Sequence, residues 1–289
     1  MRILAVLERL AAAALASALI ACTTSPAIDA ASAPWPASLD GGTIVLLGEV
    51  HDSAEQHRLR LDALRRAVAS GWRPAIVMEQ FDRERQGDID RARRERPGDA
   101  GHVIEQAATA PPRPGGGWNW SFYRPFVALA LAHDLPLVAG NLSNADAAKI
   151  VRGGNAAVFD AAALRALGLD RPIEADWQRA QEREIDAGHC GALPAAMWPR
   201  VASAQFARDA VMADALRRHG GRGAVLLAGN GHVRKDIGVP RWLQAGGVWS
   251  VGYLERGDER TPEAAFDAVV RTAPVARGDP CSALRGRTP

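Results

Sequence analysis

Short apolar runs alternate with longer helical patterns along the chain, and this alternation constrains the fold more than any other feature. Five runs have the length and composition of strands: residues 44–47, 75–78, 136–139, 224–228 and 248–253. Most of them are continuously apolar, as strands are when both faces of a parallel sheet are covered. The runs therefore predict a sheet with helices on both faces.

The stretches between the runs carry apolar residues at helical spacing. The clearest of them are residues 53–69, 122–133 and 199–219, of which the last is the longest. A chain in which strands alternate with helices is typical of the α/β class. We expect a mostly parallel central sheet flanked by helices.

Two stretches depart from this alternation. Residues 82–99 carry dense mixed charge, which favours a solvated helix with surface salt bridges over a binding surface. Residues 152–198 contain several turn sequences rich in glycine and proline. We expect the second stretch to insert as a smaller helical cap in an α/β domain that spans residues 41–289.

The N-terminus predicts export and a lipid anchor. A charged residue and an apolar run precede Cys22, which is the layout of an export signal. Small residues before this cysteine match the site where bacterial lipoproteins are cleaved and acylated; the alternative is an ordinary signal peptide with a chance cysteine. Residues 1–22 then form the signal peptide and residues 23–40 a tether. Thr23 does not indicate inner-membrane retention, so we expect an outer-membrane lipoprotein that faces the periplasm.

Two further cysteines, Cys190 and Cys281, belong to the exported part of the chain. Disulfides persist in oxidising compartments. We therefore predict that these two cysteines are bonded, which requires Cα atoms within roughly 7 Å.

Charge and motifs exclude several classes of protein. The formal net charge of the 289 residues is +2, and the arginines are scattered, so nucleic acid is not an expected partner. The sequence contains no G-x-S-x-G elbow, H-E-x-x-H helix, phosphate loop or dinucleotide fingerprint. Any chemistry must come from another arrangement of residues.

A repeated motif supplies that arrangement, because two of the apolar runs end in G-x-x-H. One copy ends at His51 and the other at His232. The carboxyl ends of parallel strands meet at one edge of a sheet, where ligands bind. We expect both histidines at this edge, with Glu49 and Glu79 close by.

Two carboxylates and two imidazoles leave two kinds of site open. They are the ligand set of a divalent metal ion with open positions, formed by Glu49, His51, Glu79 and His232. They are also groups for acid and base chemistry. In an enzyme, Glu49 or Glu79 would serve as the catalytic base for a metal-activated water that attacks a peptide or ester. A single histidine at a strand end is more often a structural residue, but the matching pair favours a shared site.

Longer blocks resemble a known family. "LLGEVHDSAEQHRLRLDAL", "VMEQFDRERQ", "AQFARDAVMADAL" and "LLAGNGHVRKDIGVPRWL" occur in this order between residues 43 and 243, and "HCGALP" lies among them. Together they resemble the ChaN-type haem-binding lipoproteins of the Tiki superfamily. The resemblance implies an iron-regulated, periplasm-facing lipoprotein that binds haem for iron uptake. It also implies kinship with metal-dependent peptidases that use similar Glu and G-x-x-H elements.

Carried over residue by residue, the family's elements fall on Glu49, His51, Glu79 and His232, with Gln205, Arg208 and Asp209 from the long helix nearby. Arg208 lies on the apolar stripe of this helix, and a buried charge there must be paired. It either forms a structural ion pair or holds Glu79 or a haem propionate.

The axial ligand of a haem iron is not assigned by these motifs. Tyr123 is a candidate because tyrosinate ligates ferric haem; the alternative is an aromatic ring packed on the core. Trp118 and its aromatic neighbours would form the flat slot, and Arg113 or Arg124 would pair with the propionates. Haem is then the expected cofactor, held by one chain or between the subunits of a homodimer. The alternative function is a metal-dependent hydrolase.

Overall fold

The computed structural model describes residues 35–109, 117–243, 246–279 and 281–282. Six strands form one sheet: β1 (Ile44–Leu47), β2 (Ala75–Asp82), β3 (Leu137–Asn141), β4 (Ala224–Leu227), β5 (Val248–Glu255) and β6 (Ala268–Thr272). Their order is β3-β2-β4-β1-β5-β6, and every neighbouring pair is parallel. The predicted α/β class is confirmed, and this sheet is wholly parallel.

Helices connect the strands and cover both faces of the sheet. They are α1 (Ala54–Ala69), α2 (Gln86–Glu95), α3 (Ala100–Ala107), α4 (Trp120–Ala132), α5 (Asn144–Gly153), α6 (Ala161–Leu167), α7 (Ala175–Gly188), α8 (Trp198–His219) and the single turn α9 (Asn230–Val233). The three helices predicted from apolar spacing correspond to α1, α4 and α8, with ends within two residues of the prediction.

The core lies on both sides of the sheet, which explains the continuous apolar runs. Successive side chains of a strand point to opposite faces. Val45 and Leu47 of β1 accordingly pack in the cluster that contains α1, α3 and α4. Ile44 and Leu46 pack in a second cluster with the C-terminal half of α8. No face of β1 is left for polar residues, so polarity is confined to the strand end.

Three stretches refine the prediction. β2 continues through Glu79 to Asp82, whereas the apolar run ends at residue 78. The edge strand β6 was not predicted, because its residues are only partly buried and it ends in polar side chains. The charged stretch 82–99 is a helical segment with surface ion pairs, such as that of Asp88 with its neighbouring arginines, as predicted.

Residues 152–198 contain α6 and α7, which pack on α8. Trp177 of α7 meets Phe206 of α8 at a ring-centroid distance of 5.1 Å. The domain boundary at residue 41 and the status of this region as an inserted cap stay predictions. Cys22, the signal peptide, most of the tether and Arg113 lie outside the described residues. Within the described ranges, no helix is long and apolar enough to cross a membrane.

The C-terminal segment after β6 is fastened at two points. Cys190 and Cys281 form a disulfide with Cα atoms 5.7 Å apart, as predicted. Arg277 of the same segment pairs with Asp52 and Glu255 at 2.7 Å. Because Asp52 is the residue after His51, the segment passes close to the end of β1.

Candidate functional site at the strand ends

Three adjacent central strands supply the polar residues of the site. β1 leads directly into Glu49 and His51, β2 carries Glu79, and β4 leads into Gly229 and the helical turn that holds His232. These strands lie side by side in the order β2-β4-β1. The two histidines and two glutamates therefore meet at one edge of the sheet, as the sequence predicted.

Glu49 is buried at the centre of a hydrogen-bonded group. The hydroxyl of Tyr123 donates to its Oε1 at 2.5 Å, and Nδ1 of His51 lies 2.9 Å from the same oxygen. Its Oε2 forms an ion pair with the fully buried Arg60 and lies 3.3 Å from Nδ1 of His57. A buried carboxylate needs a partner of opposite charge, and Arg60 supplies it. Glu49 therefore orients the side chains around it.

Burial fixes the protonation of two neighbours of Glu49. It lowers the pKa of His57 to about 4, so this imidazole is neutral at neutral pH. It raises the pKa of Tyr123, so the phenol keeps its proton. The tyrosine remains a donor to Glu49, and its hydroxyl is not free for iron. The role of Tyr123 as an axial ligand stays a prediction, and Tyr253, the other of the two tyrosines, is buried as well.

Glu79 is a buried carboxylate held by backbone and imidazole. Its Oε2 accepts the N–H of Gly229 at 2.8 Å, and its Oε1 lies 3.5 Å from Nε2 of His232. Burial alone would raise the pKa of Glu79. The nearby His232 and His51 and the Gly229 N–H outweigh this effect and hold the pKa below its usual value. Glu79 is therefore an anion in the folded protein.

His232 bridges Glu79 to a second carboxylate. Its Nδ1 donates to Oδ1 of Asp209 at 2.6 Å, and only 16% of its side chain is exposed. Burial would lower the pKa of His232, but Asp209 and Glu79 outweigh it and raise the pKa to about 8. Burial also raises the pKa of Asp209 to about 6. The three side chains thus form a chain of charge-assisted contacts that holds an exchangeable proton.

His51 is the exposed member of the site, with 53% of its side chain accessible. Its ring packs over Gly229, where an added Cβ would lie 2.9 Å from Cε1 and 3.2 Å from Nε2. Trp118 contacts the ring edge-on, with centroids 4.8 Å apart. Glu49 fixes Nδ1, and no described residue hydrogen bonds to Nε2. Nε2, which lies beside Gly229, is therefore the imidazole nitrogen without a hydrogen-bond partner among the described residues.

Arg208 makes no ion pair with a described residue, and its contact with a haem propionate stays a prediction. Its guanidinium donates to Oδ1 of Asn141 at 2.7 Å, to the carbonyl of Leu142 at 2.5 Å and to Oδ1 of Asn144 at 2.7 Å. These neutral oxygens belong to the connection from β3 to α5. Arg208 therefore anchors this loop, and its charge acts on Glu79 only through space.

The structure does not show the predicted metal site, which stays a prediction. Among the described residues, no group of three or more His, Cys, Asp and Glu side chains is arranged to hold a metal ion. Glu49 is already engaged by Arg60 and Tyr123. The four predicted ligands are two separate carboxylate–imidazole pairs.

Two functional residues, Arg60 and His57, were missed by sequence reasoning. Both lie on α1 and are buried on the side that carries Leu61 and Leu64. The signal was present, because charged side chains at helical spacing within an apolar stripe require buried partners.

A parallel α/β sheet with carboxylates and imidazoles at its strand ends defines a ligand-binding protein of the open-sheet type. The family model described as haem-binding uptake, Tiki superfamily, ChaN, matches residues 35–243. The chain therefore belongs to the haem-binding ChaN family of the Tiki superfamily.

Two solved structures match the chain, and the first of them is similar in fold. One is described as cofacial haem binding to ChaN of Campylobacter jejuni; it shares 18% identity, with 79% of this chain and 87% of that chain covered and a TM-score of 0.59. The other is a mutant erythromycin esterase in its open conformation, with 14% identity, 79% and 75% covered and a TM-score of 0.43. No protein with a curated description matches the sequence significantly.

Proposed function

We propose that this protein binds haem at the strand ends, with Nε2 of His51 as the ligand to iron. The observation that carries the proposal is the geometry of His51. Its Nδ1 is bonded to a buried carboxylate, its Nε2 bonds to no described residue, and 53% of its side chain is exposed. Metal-binding histidines are commonly oriented in this way, because the second nitrogen fixes the tautomer and raises the basicity of the ligand.

The surroundings of His51 fit a flat, amphipathic cargo. Trp118 stands beside the ring and is partly buried, so it offers an aromatic wall. Behind it, Phe122 stacks on His57 at 4.7 Å and stiffens the wall. Arg124 is exposed on the same helix and makes no ion pair with a described residue, which leaves it available to a propionate.

In the cell, the protein is proposed to act at the envelope. An apolar leader that ends at Cys22 supports acylation there, and the disulfide between Cys190 and Cys281 fits an oxidising compartment. An outer-membrane anchor that faces the periplasm would place the protein in a pathway of haem or iron uptake. Intact mass of membrane-extracted protein tests the anchor; a chain without acyl mass would overturn it.

Haem binding is tested by titrating hemin into the chain from residue 23 onward. A saturable change in the Soret band is expected, with a stoichiometry read from the breakpoint. Analytical ultracentrifugation with and without hemin then separates binding by one chain from binding between two subunits. A linear, unsaturated absorbance change identical to that of free hemin would overturn the proposal.

The two carboxylate–imidazole pairs favour one alternative, hydrolysis. Imidazoles held by carboxylates are suited to general acid and base catalysis, and His232 has a pKa close to neutral pH. Hydrolysis would be favoured if the protein turned over p-nitrophenyl esters or peptides. This turnover should be lost in His51→Ala and should not be affected by chelators. Absence of turnover together with hemin binding would favour haem handling.

A further inference from the structure

A second cavity, of about 440 Å³, lies outside the strand-end site. It is bounded by the end of α6, the connection from α6 to α7, the last turns of α8 and the turn at Val239–Trp242. None of its lining residues belongs to the carboxylate–imidazole pairs. Its volume falls in the range of small-molecule sites, roughly 300–1,000 Å³.

The cavity is strongly basic. Glu174 is its one acidic lining residue, whereas four arginines line it: Arg165, Arg171, Arg217 and Arg241. Arg241 is paired with Glu174 at 2.7 Å. The guanidinium of Arg217 donates hydrogen bonds to the carbonyl of Trp242 at 3.0 Å and to Oδ1 of Asp214 at 3.3 Å.

The other two arginines have no such partners. Arg165 and Arg171 are exposed, and neither makes an ion pair or a side-chain hydrogen bond with a described residue. Two guanidinium groups therefore line the cavity with their donors directed to no protein acceptor in the described ranges. Guanidinium groups bind carboxylates, sulfonates and phosphates through paired N–H donors.

An aromatic wall completes the cavity. Trp177 and Trp242 contact each other with ring centroids 5.0 Å apart. The guanidinium of Arg241 lies 4.7 Å from the centroid of Trp177. The indole N–H of Trp177 is donated to the carbonyl of Ile237 at 2.8 Å, and its buried ring lies under Arg241. The partly exposed ring of Trp242 is therefore the main apolar surface of the cavity. Flat aromatic ligands stack on such surfaces.

We propose that this cavity binds an organic anion with a flat aromatic body, which packs against Trp242 while Arg165 and Arg171 bind its acidic group. The site is separate from the strand-end site and does not depend on the proposed haem function. Its specificity comes from the combination of charge and ring, because neither the arginines nor the indoles alone select such a ligand.

The test uses 8-anilinonaphthalene-1-sulfonate as the probe, titrated by calorimetry into the chain from residue 23 onward. The double variant Arg165→Gln/Arg171→Gln should weaken binding by about tenfold or more, since two charge-assisted contacts are lost. The variant Arg165→Lys/Arg171→Lys should keep most of the affinity. Arg179→Gln/Arg183→Gln on α7 is the matched control, because it removes the same charge outside the cavity and should change the affinity less than twofold.

Two further measurements separate the site from non-specific contacts. N-phenyl-1-naphthylamine has the same rings without the sulfonate and should bind at least tenfold more weakly. His51→Ala should leave the affinity for the sulfonate probe unchanged. Any of three results would overturn the proposal. The neutral probe could bind as tightly as the sulfonate probe, the control variant could lose as much affinity as Arg165→Gln/Arg171→Gln, or His51→Ala could lose binding of the sulfonate probe.

Discussion

Nδ1 of His51 lies 2.9 Å from Oε1 of Glu49, two residues earlier in the chain. The same carboxylate accepts the hydroxyl of Tyr123 and neutralises the buried guanidinium of Arg60. An exposed imidazole is thereby oriented by a carboxylate whose own position is fixed from two helices. A hydrogen bond to the second nitrogen of an imidazole decides how well that imidazole is placed as a ligand.

The ion pair of Glu49 and Arg60 predicts a large cost when one partner is removed. Arg60→Met should lower the free energy of unfolding by about 3–5 kcal/mol, because Glu49 would remain buried without a counter-charge. Urea unfolding followed by circular dichroism measures it. Arg58→Met is the control on the same helix: Arg58 is exposed, so its loss should cost less than about 1 kcal/mol. Equal effects of the two variants would contradict this account.

The close approach of His51 to Gly229 predicts a selective effect on ligand binding. In Gly229→Ala, the new Cβ would lie 2.9 Å from Cε1 of His51, so the ring must move. We expect hemin affinity to fall by about tenfold, which corresponds to about 1.4 kcal/mol. Gly231→Ala is the matched control, since its Cβ would meet no atom within 4 Å. Unchanged hemin affinity in Gly229→Ala would show that the position of His51 is unimportant.

The raised pKa of His232 predicts how stability depends on pH. Its folded value of about 8 exceeds the ordinary 6.5, so the protonated form is favoured by folding. The stabilisation is fully present below pH 6.5 and is lost as the pH rises through 8, by about 2 kcal/mol in total. The raised pKa of Asp209 acts in the same direction at lower pH, between 3.8 and about 6.

Unfolding free energies at pH 6.5 and pH 8.5 test this dependence. The difference between the two values should shrink by about 1.5 kcal/mol in His232→Gln. His133→Gln, an exposed site at the end of α4, should retain the difference found in the unaltered protein. If the pH dependence of stability survives in His232→Gln, another group is responsible for it.

The disulfide predicts a loss of stability on reduction. It closes a loop with a sequence separation of 91 residues. Chain-entropy arguments give a stabilisation of about 4–5 kcal/mol for a loop of this length. Cys190→Ser/Cys281→Ser should lower the urea midpoint accordingly, and added reductant should no longer affect it. If reductant lowers the urea midpoint of the unaltered protein but not that of the double variant, the loss of stability comes from this bond.

Much of the fold could be predicted from the sequence because the central strands are buried on both faces. β1 was predicted without error, since its four apolar residues are followed by Gly48. β2 was cut short at residue 78, because Glu79 and Gln80 are polar yet buried within the strand. β6 was missed, because an edge strand with partial exposure carries little apolar signal.

The site was predictable in its position but not in its pairings. Strand ends brought His51, His232, Glu49 and Glu79 to one edge, as topology requires. The partners of these residues, Arg60, Tyr123 and Asp209, come from three helices whose orientation the sequence does not specify. For this reason a metal-ligand set and two carboxylate–imidazole pairs could not be distinguished beforehand.

The role of His51 as the ligand of haem iron is tested most directly by a hemin titration of His51→Ala, followed by absorbance. His133→Ala serves as the control for loss of an exposed histidine. The account predicts a shifted Soret band and at least tenfold weaker binding in His51→Ala, both restored by free imidazole, and no change in His133→Ala. A His51→Ala protein that binds hemin with the affinity and spectrum of the unaltered chain would contradict it.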